Sequence, residues 1–366
     1  MTVKILTGDC RDVLRTLPDE SVHCVVTSPP YWGLRDYGTG TNGIGLEETL
    51  DEHMDALTGL FRDVRRVLRA DGTVWLNYGD AYAGSWGAQG RGDKRSEMEI
   101  GGRIAGDGRK SLSEQQILAH PKRRQTGSLA RTGGCKAKDL MGLPWMLAFA
   151  LRADGWYLRQ DIIWHKPNQM PESVGDRCTK AHEYLFLLSK SERYFYDADA
   201  IKTPFSPETK DLSFETMDYK RRDDYRAPGN VRPSKGQAAY EGGAAEHRTK
   251  AGLLDYAKKV QTDGPGSKGA NKRSVWTVAT EAFPGAHFAT FPPALIEPCI
   301  KAGCPEGGTV LDPFGGAGTT GLVADRLRRN AILIELNPKY AVMAEQRIQS
   351  EGGMLADVHR TEAVPS

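Results

Sequence analysis

The stretch Thr309-Val-Leu-Asp-Pro-Phe-Gly-Gly-Ala-Gly-Thr-Thr-Gly321 sets a tight glycine turn between a short apolar strand, Thr309 to Asp312, and a helix beginning at Gly318. Its Gly316, Gly318 and Gly321 satisfy G-x-G-x-x-G, and Glu335 ends the next strand 19 residues after Gly316. In that context a ligand can approach the backbone closely, and an acid at the end of the second strand can bind a ribose hydroxyl pair. A phosphate-cradling P-loop is excluded, because no Lys follows the glycines. Two cofactors remain open, a nicotinamide dinucleotide and S-adenosylmethionine. Asp312-Pro313-Phe314 favours the second: a carboxylate directly before the turn suits the ammonium group of an amino-acid cofactor and repels a pyrophosphate.

Outward from this turn, strands and helices alternate. Strands are expected at Val3 to Leu6, His23 to Thr27, Thr73 to Asn77, Trp156 to Trp164, Ala181 to Ser189 and Ala331 to Glu335. Helices are expected at Leu50 to Leu68, where Met54, Leu57, Leu60, Phe61, Val64 and Val67 form an apolar stripe, and at Leu143 to Ala153, Pro292 to Ala302, Gly318 to Arg329 and Pro338 to Gln349. Asp71-Gly72 is expected to stop the first of these helices. The alternation implies an α/β fold with a mostly parallel sheet covered on both faces.

The 366 residues allow one large domain with insertions, or two domains. With 39% hydrophobic and 26% charged residues, 41 Gly and 20 Pro, collagenous and wholly disordered chains are excluded, and long irregular loops are implied. No run of about 18 apolar residues exists and MTVKILTGDC is not a signal peptide, so a cytoplasmic protein without a membrane partner is expected. The six cysteines lack the CxxC spacing of zinc sites, so neither a structural metal nor a disulfide framework is indicated. The net charge of +2 divides unevenly, with +7 in 85–138, +4 in 206–273 and −9 elsewhere. Basic insertions on an acidic body read as phosphate-binding surfaces, since Lys and Arg gain affinity on nucleic acid by releasing counterions. Solvated loops are the alternative.

Val25-Val-Thr-Ser-Pro-Pro-Tyr-Trp32 is the most informative stretch for chemistry. Its prolines stiffen a loop that offers the Ser28 hydroxyl, the open carbonyl of Pro29 and, after Pro30, the aromatic faces of Tyr31 and Trp32. Such a loop can hold an exocyclic amino group and stack its base. Pro298-Cys299 lies in the helical run Ala294 to Ala302, away from this loop. His182-Glu183 lacks the second His of a zinc motif and reads as structural, and Lys166 reads as a phosphate contact or an exposed strand-end lysine.

With Gly8-Asp9-Cys10 upstream and the glycine turn downstream, the order of these motifs resembles the β-class amino-group DNA methyltransferases. The resemblance covers most of the chain. It implies a Rossmann-like fold of permuted motif order, with the sheet closed by strands from both ends of the chain, and S-adenosyl-L-methionine as cofactor. Asp312, Pro313, Phe314, Gly315, Gly316, Gly318 and Thr319 then resemble the family's methionine-binding loop and Glu335 its ribose acid. Asp9 resembles the adenine contact, and His287, Phe291 and Pro292 the segment that wraps the methionine end from the other side. Leu68 to Asp80 and Asp161 to Pro167 resemble the borders of the base pocket.

The implied activity is methyl transfer to the amino group of a base flipped out of double-stranded DNA, with Ser28, Pro29, Pro30 and Tyr31 catalytic and Tyr31 as stacking platform. Ser at position 28 resembles the cytosine-N4 subgroup more than the adenine-N6 one. A nicotinamide-dependent oxidoreductase and a silent DNA-binding module are the alternatives. The implied organisation is methyltransferase sequence at 1–84, 139–205 and 275–366, a basic DNA-facing insertion at 85–138 and a target-recognition region at 206–274. A homodimer and a cognate restriction endonuclease are left open as partners. Removing the carboxylate of Asp312 or Glu335 is expected to weaken cofactor binding without disturbing the fold.

Overall fold

The computed structural model describes residues 1–33, 43–83, 132–204, 269–281, 290–352 and 357–362. Most of the basic insertions therefore lies outside the described residues. The chain divides into one unit of Met1–Ala200 with Arg273–Ser366, and a second of Ile201–Lys272. In the second, the described ends pair through Thr203 and Ala270.

The first unit is built on a sheet whose described strands are β1 (Thr2–Thr7), β2 (Val22–Thr27), β3 (Leu68–Tyr78), β4 (Tyr157–His165), β5 (His182–Ser189), β6 (Val275–Thr277), β7 (Thr309–Asp312), β8 (Asn330–Glu335) and β9 (Asp357–Glu362). Their order is β6-β4-β5-β3-β2-β7-β8-β1-β9. The strand expected at 309–312 takes up a central place, parallel to β2 on one side and β8 on the other. The sheet is thus closed by strands from both ends of the chain. β5 pairs antiparallel with β3 and β4, and every other pairing is parallel.

The described α-helices are α1 (Cys10–Thr16), α2 (Leu50–Val67), α3 (Leu143–Ala153), α4 (Pro293–Gly303), α5 (Thr319–Arg326) and α6 (Pro338–Gly352). α2 begins in a capping box, with the Glu52 amide donating to the Thr49 hydroxyl at 3.2 Å and the Thr49 amide to the Glu52 carboxylate at 3.0 Å. Its apolar stripe is buried in one cluster with Val13 and Leu14 of α1, Leu147 of α3, and Val25, Val74 and Leu76 of the sheet. The alternate strand residues Cys24, Thr73 and Trp75 instead meet α4, which packs against α5, and α5 against α6. Because successive side chains of a strand point to opposite faces, helices cover both.

That second contact leaves no room. A Cβ on Gly303 would lie 2.6 Å from the Thr73 hydroxyl oxygen and the Trp75 indole nitrogen, and 2.9 Å from the Cys24 sulfur. Gly303→Ala is expected to cost about 1–3 kcal/mol through overpacking. A lower urea midpoint at unchanged m-value would show it, and a parental midpoint would contradict it.

The expected turn at Asp71-Gly72 is absorbed into β3, which starts at Leu68. Val22 pairs with Leu68 and Cys24 with Thr73, so Arg69 to Gly72 bulge out opposite the single residue His23. Sheet pairing overrides the local turn signal there.

Candidate active site

In the parallel part of the sheet, β1, β2, β7 and β8 all end at one edge, and a cavity opens there. The glycine loop forms one wall. Gly316 (φ +50°) and Gly318 (φ +78°) hold left-handed conformations that favour glycine, and the Gly318 amide donates to the Gly315 carbonyl at 2.8 Å to close the turn. Gly321 lets α5 approach the sheet, since a Cβ there would lie 2.9–3.0 Å from Leu333, Ile348 and Val3. The Glu335 carboxylate ties this wall together by accepting from the Gly316 and Asn337 amides, both at 2.8 Å. Burial pushes Glu335 above the usual carboxylate range.

Asp312 is buried at the base of the cavity. One of its oxygens accepts from the Thr27 hydroxyl at 2.7 Å and the Phe314 amide at 3.1 Å, and the other accepts from the Thr320 hydroxyl at 2.7 Å. It therefore joins β2, β7 and α5. Burial pushes its carboxyl up to about 6, against the opposing pull of those hydrogen bonds. This corrects the expectation that Asp312→Ala leaves the fold undisturbed, because the substitution would strand the buried Thr27 hydroxyl.

The loop after β2 forms the facing wall, and Ser28, Pro29, Pro30 and Tyr31 all line the cavity. The Tyr31 ring lies edge-on to Tyr78 with centroids 4.8 Å apart, and a Cβ on Gly79 would come within 2.6 Å of it. Its phenol donates to Glu183 at 3.1 Å. Burial and the Glu183 charge push the phenol well above its ordinary value. Trp32 departs from expectation: it is buried in the core cluster and its indole donates to the Glu47 carbonyl at 3.1 Å, so it offers no open face.

Asp9 closes a third side. It accepts from the Arg11 amide at 2.9 Å, capping α1, and from the Arg11 guanidinium at 2.9 and 3.1 Å. Those Arg11 contacts hold its carboxyl below the usual range against the opposing effect of burial. Phe291, Pro313, Phe314, Gly315, Gly316 and Thr319 also line the cavity. Gly318 is set back in the turn, Pro292 caps α4 beside Phe291, and His287 lies outside the described residues.

Leu336 and Tyr340, just after Glu335, line the cavity as well and were not expected. The signal for them is positional, since they follow a strand that ends at the ligand-binding edge. Cys299, by contrast, is buried with its thiol donating to the Leu295 carbonyl at 3.6 Å, away from this site.

Among the described residues, the charged ones lining the cavity are Asp9, Arg11, Asp312 and Glu335. With Asp9 and Arg11 paired, the remaining charge is acidic. Such a site fits a cationic ligand and disfavours a pyrophosphate. Among the described residues no metal-binding cluster occurs, and no helix is long and apolar enough to cross a membrane.

Residues 22–346 match the N6/N4 methyltransferase family model, described as DNA methylase. The type II methyltransferase M.SmaI of Serratia marcescens is 41% identical over 345 residues, or 94% of this chain and 90% of its own. The type II methyltransferase M.Cfr9I of Citrobacter freundii is 40% identical over 347 residues, or 95% and 88%. In fold, the chain is similar to a crystal structure of a putative DNA modification methylase from Thermus thermophilus complexed with S-adenosyl-L-methionine, with a TM-score of 0.52 over 98% of this chain and 100% of that one at 20% identity. The nicotinamide alternative falls with these matches, and the chain belongs to the N6/N4 family of DNA methylases.

Proposed function

We propose that the protein transfers the methyl group of S-adenosylmethionine to the exocyclic amino group of a base flipped out of DNA, with cytosine N4 as the target. The observation that carries this reading is that the glycine loop and the Ser28-Pro29-Pro30-Tyr31 loop, distant in sequence, face one acidic cavity. Bound there, S-adenosylmethionine supplies an electrophilic methyl group on a sulfonium. Asp312 and the glycine loop would hold its amino-acid end, Glu335 its ribose and Asp9 its adenine, with Phe291 closing over the methionine.

An exocyclic amine is a poor nucleophile because its lone pair is delocalised into the ring. The Ser28 hydroxyl and the Pro29 carbonyl accept from its two N–H groups and favour a pyramidal nitrogen aimed at the methyl. No covalent enzyme intermediate is needed, and catalysis is mainly orientation and electrostatics. Tyr31 supports the flipped base.

Ser at position 28, where Asp or Asn is commoner in adenine enzymes, supports cytosine. The basic insertions at 85–138 and 206–274 would carry the duplex, the second reading the target sequence. A cytoplasmic setting and a cognate restriction endonuclease accord with type II relatives.

Equilibrium binding followed by labelled methyl transfer tests the reading. S-adenosylmethionine is expected to bind, NAD is not, and the label should be retained on DNA. Binding of NAD alone, or no transfer to any DNA, would overturn it.

A further inference from the structure

α2 carries one polar side chain among its buried residues, His53, in a stripe otherwise made of leucine, methionine, phenylalanine and valine. An imidazole at a core position costs stability unless both of its nitrogens are bonded, and here both are. Nδ1 lies 2.7 Å from the Glu47 carboxylate, and Nε2 lies 2.7 Å from the Tyr78 phenol. Burial opposes ionisation of Glu47, yet hydrogen bonds from His53 and Gly45 hold its carboxyl below the usual range. As a carboxylate it only accepts, which places a proton on His53 Nδ1.

Both partners lead to the Ser28-Pro29-Pro30-Tyr31 loop. The Tyr78 ring packs edge-on against Tyr31, with centroids 4.8 Å apart. On the other side, the Glu47 oxygen that meets His53 also accepts from the Gly45 amide at 2.9 Å. Gly45 in turn lies against the backbone of the loop. A Cβ there would come within 3.2 Å of the Pro30 Cβ and the Tyr31 carbonyl oxygen, and the Gly45 carbonyl accepts from the Gly33 amide at 2.6 Å. The contacts close a circuit from the Tyr31 ring through Tyr78, His53, Glu47 and Gly45 back to the backbone of Pro30 to Gly33. His53 is fully buried at its centre.

We infer that His53 is a positioning residue for the Ser28-Pro29-Pro30-Tyr31 loop, joining the support of the Tyr31 ring, on β3, to the support of the loop backbone, ahead of α2. The inference rests on the proposed amino-methyl transfer. In that reaction the amine meets the Pro29 carbonyl while its base lies on the Tyr31 ring, so ring and backbone have to keep one spacing. Misplacement by about 1 Å through a change outside the reacting groups costs on the order of 10²-fold in rate. Without His53, Tyr78 and Gly45 each still touch the loop, but the link between them is gone.

The test is a double-variant cycle in the full-length protein, using Tyr78→Phe and Glu47→Ala, which lie on opposite sides of His53. Tyr78→Phe keeps the ring against Tyr31 and removes the bond to His53. Each single variant is expected to lower kcat for methyl transfer to DNA about 10–100-fold, with S-adenosylmethionine binding within about threefold of the parent. The double variant should be no slower than Glu47→Ala alone, since either change already breaks the circuit. Independently of activity, the parent should show an exchange-protected imidazole N–H proton resonance that disappears in His53→Phe.

A parental kcat for Tyr78→Phe, losses that multiply in the double variant, or an equal loss of S-adenosylmethionine affinity would overturn the inference while leaving the proposed function standing. Tyr78→Phe removes a single oxygen, so its kcat decides the matter even if Glu47→Ala does not fold. Absence of the protected resonance from the parent would overturn the inference as well. A parent protein that shows the resonance but transfers no methyl group to DNA would instead remove the reading beneath it.

Discussion

Ser28→Ala is expected to lower the methyl-transfer rate by about 10²–10³-fold, the scale seen when one pre-set hydrogen bond to a reacting group is deleted, while S-adenosylmethionine affinity stays within about twofold. In the proposed arrangement the hydroxyl meets the base and not the cofactor's amino-acid end. Its loss should be felt equally on a paired target and on one already unpaired by a mismatch, since the missing contact is at the reacting nitrogen. Tyr31→Ala should behave differently. A base-on-aromatic contact returns about 1–3 kcal/mol of the cost of flipping, so part of that variant's loss should be recovered on the mismatched target. Comparing both variants on matched and mismatched duplexes separates the roles. Equal rescue of the two would contradict the assignment.

Asp312 should separate fold from ligand. Asp312→Ala leaves the Thr27 hydroxyl without its buried acceptor and takes one of two acceptors from the Thr320 hydroxyl, and is expected to destabilise the protein by about 1–3 kcal/mol. Asp312→Asn keeps the shape and one acceptor, and Thr320 can turn to the Val26 carbonyl 3.5 Å away, so this variant should stay folded. Lacking the charge that faces a cationic ligand, it should still bind S-adenosylmethionine about 10-fold or more weakly.

The pH dependence of stability follows from the same burial. The Asp312 carboxyl sits at about 6 in the folded chain against an ordinary value of 3.8. Between those values the folded protein keeps a proton that the unfolded chain has lost. The Asp312 contribution therefore makes stability fall as pH rises from about 4 to about 6, by on the order of 3 kcal/mol, and is level above that. Asp312→Asn should flatten that part of the profile. Unchanged cofactor affinity in the Asn variant would make Asp312 a strut and nothing more.

The half of the site built from neighbours in sequence was legible before the structure. β7, the glycine turn and α5 follow from a four-residue apolar strand, positive-φ glycines and an acid one strand later, all of which are local. The pairing of β2 with β7 was legible only through the resemblance, because Thr27 and Asp312 are 285 residues apart. Elements shorter than two turns or lying at the sheet edge, such as α1 and β9, carry too few periodic positions to announce themselves. Trp32 looked like a second stacking face because local sequence cannot say which of two adjacent aromatics turns inward. Glu183 looked structural, and Lys166 looked like a phosphate contact or an exposed residue, for a related reason. Their contacts depend on one antiparallel strand bringing Glu183 to a tyrosine 152 residues away and to Lys166.

Whether this cavity methylates an amino group on a DNA base is decided by incubating DNA with the purified protein and S-adenosylmethionine, digesting it to nucleosides and weighing the modified product. N4-methylcytosine is expected, formed by the parent and lost in Ser28→Ala. N6-methyladenine would retain the amino-group mechanism and reject the cytosine assignment, whereas 5-methylcytosine or no modified nucleoside would contradict the proposed chemistry altogether.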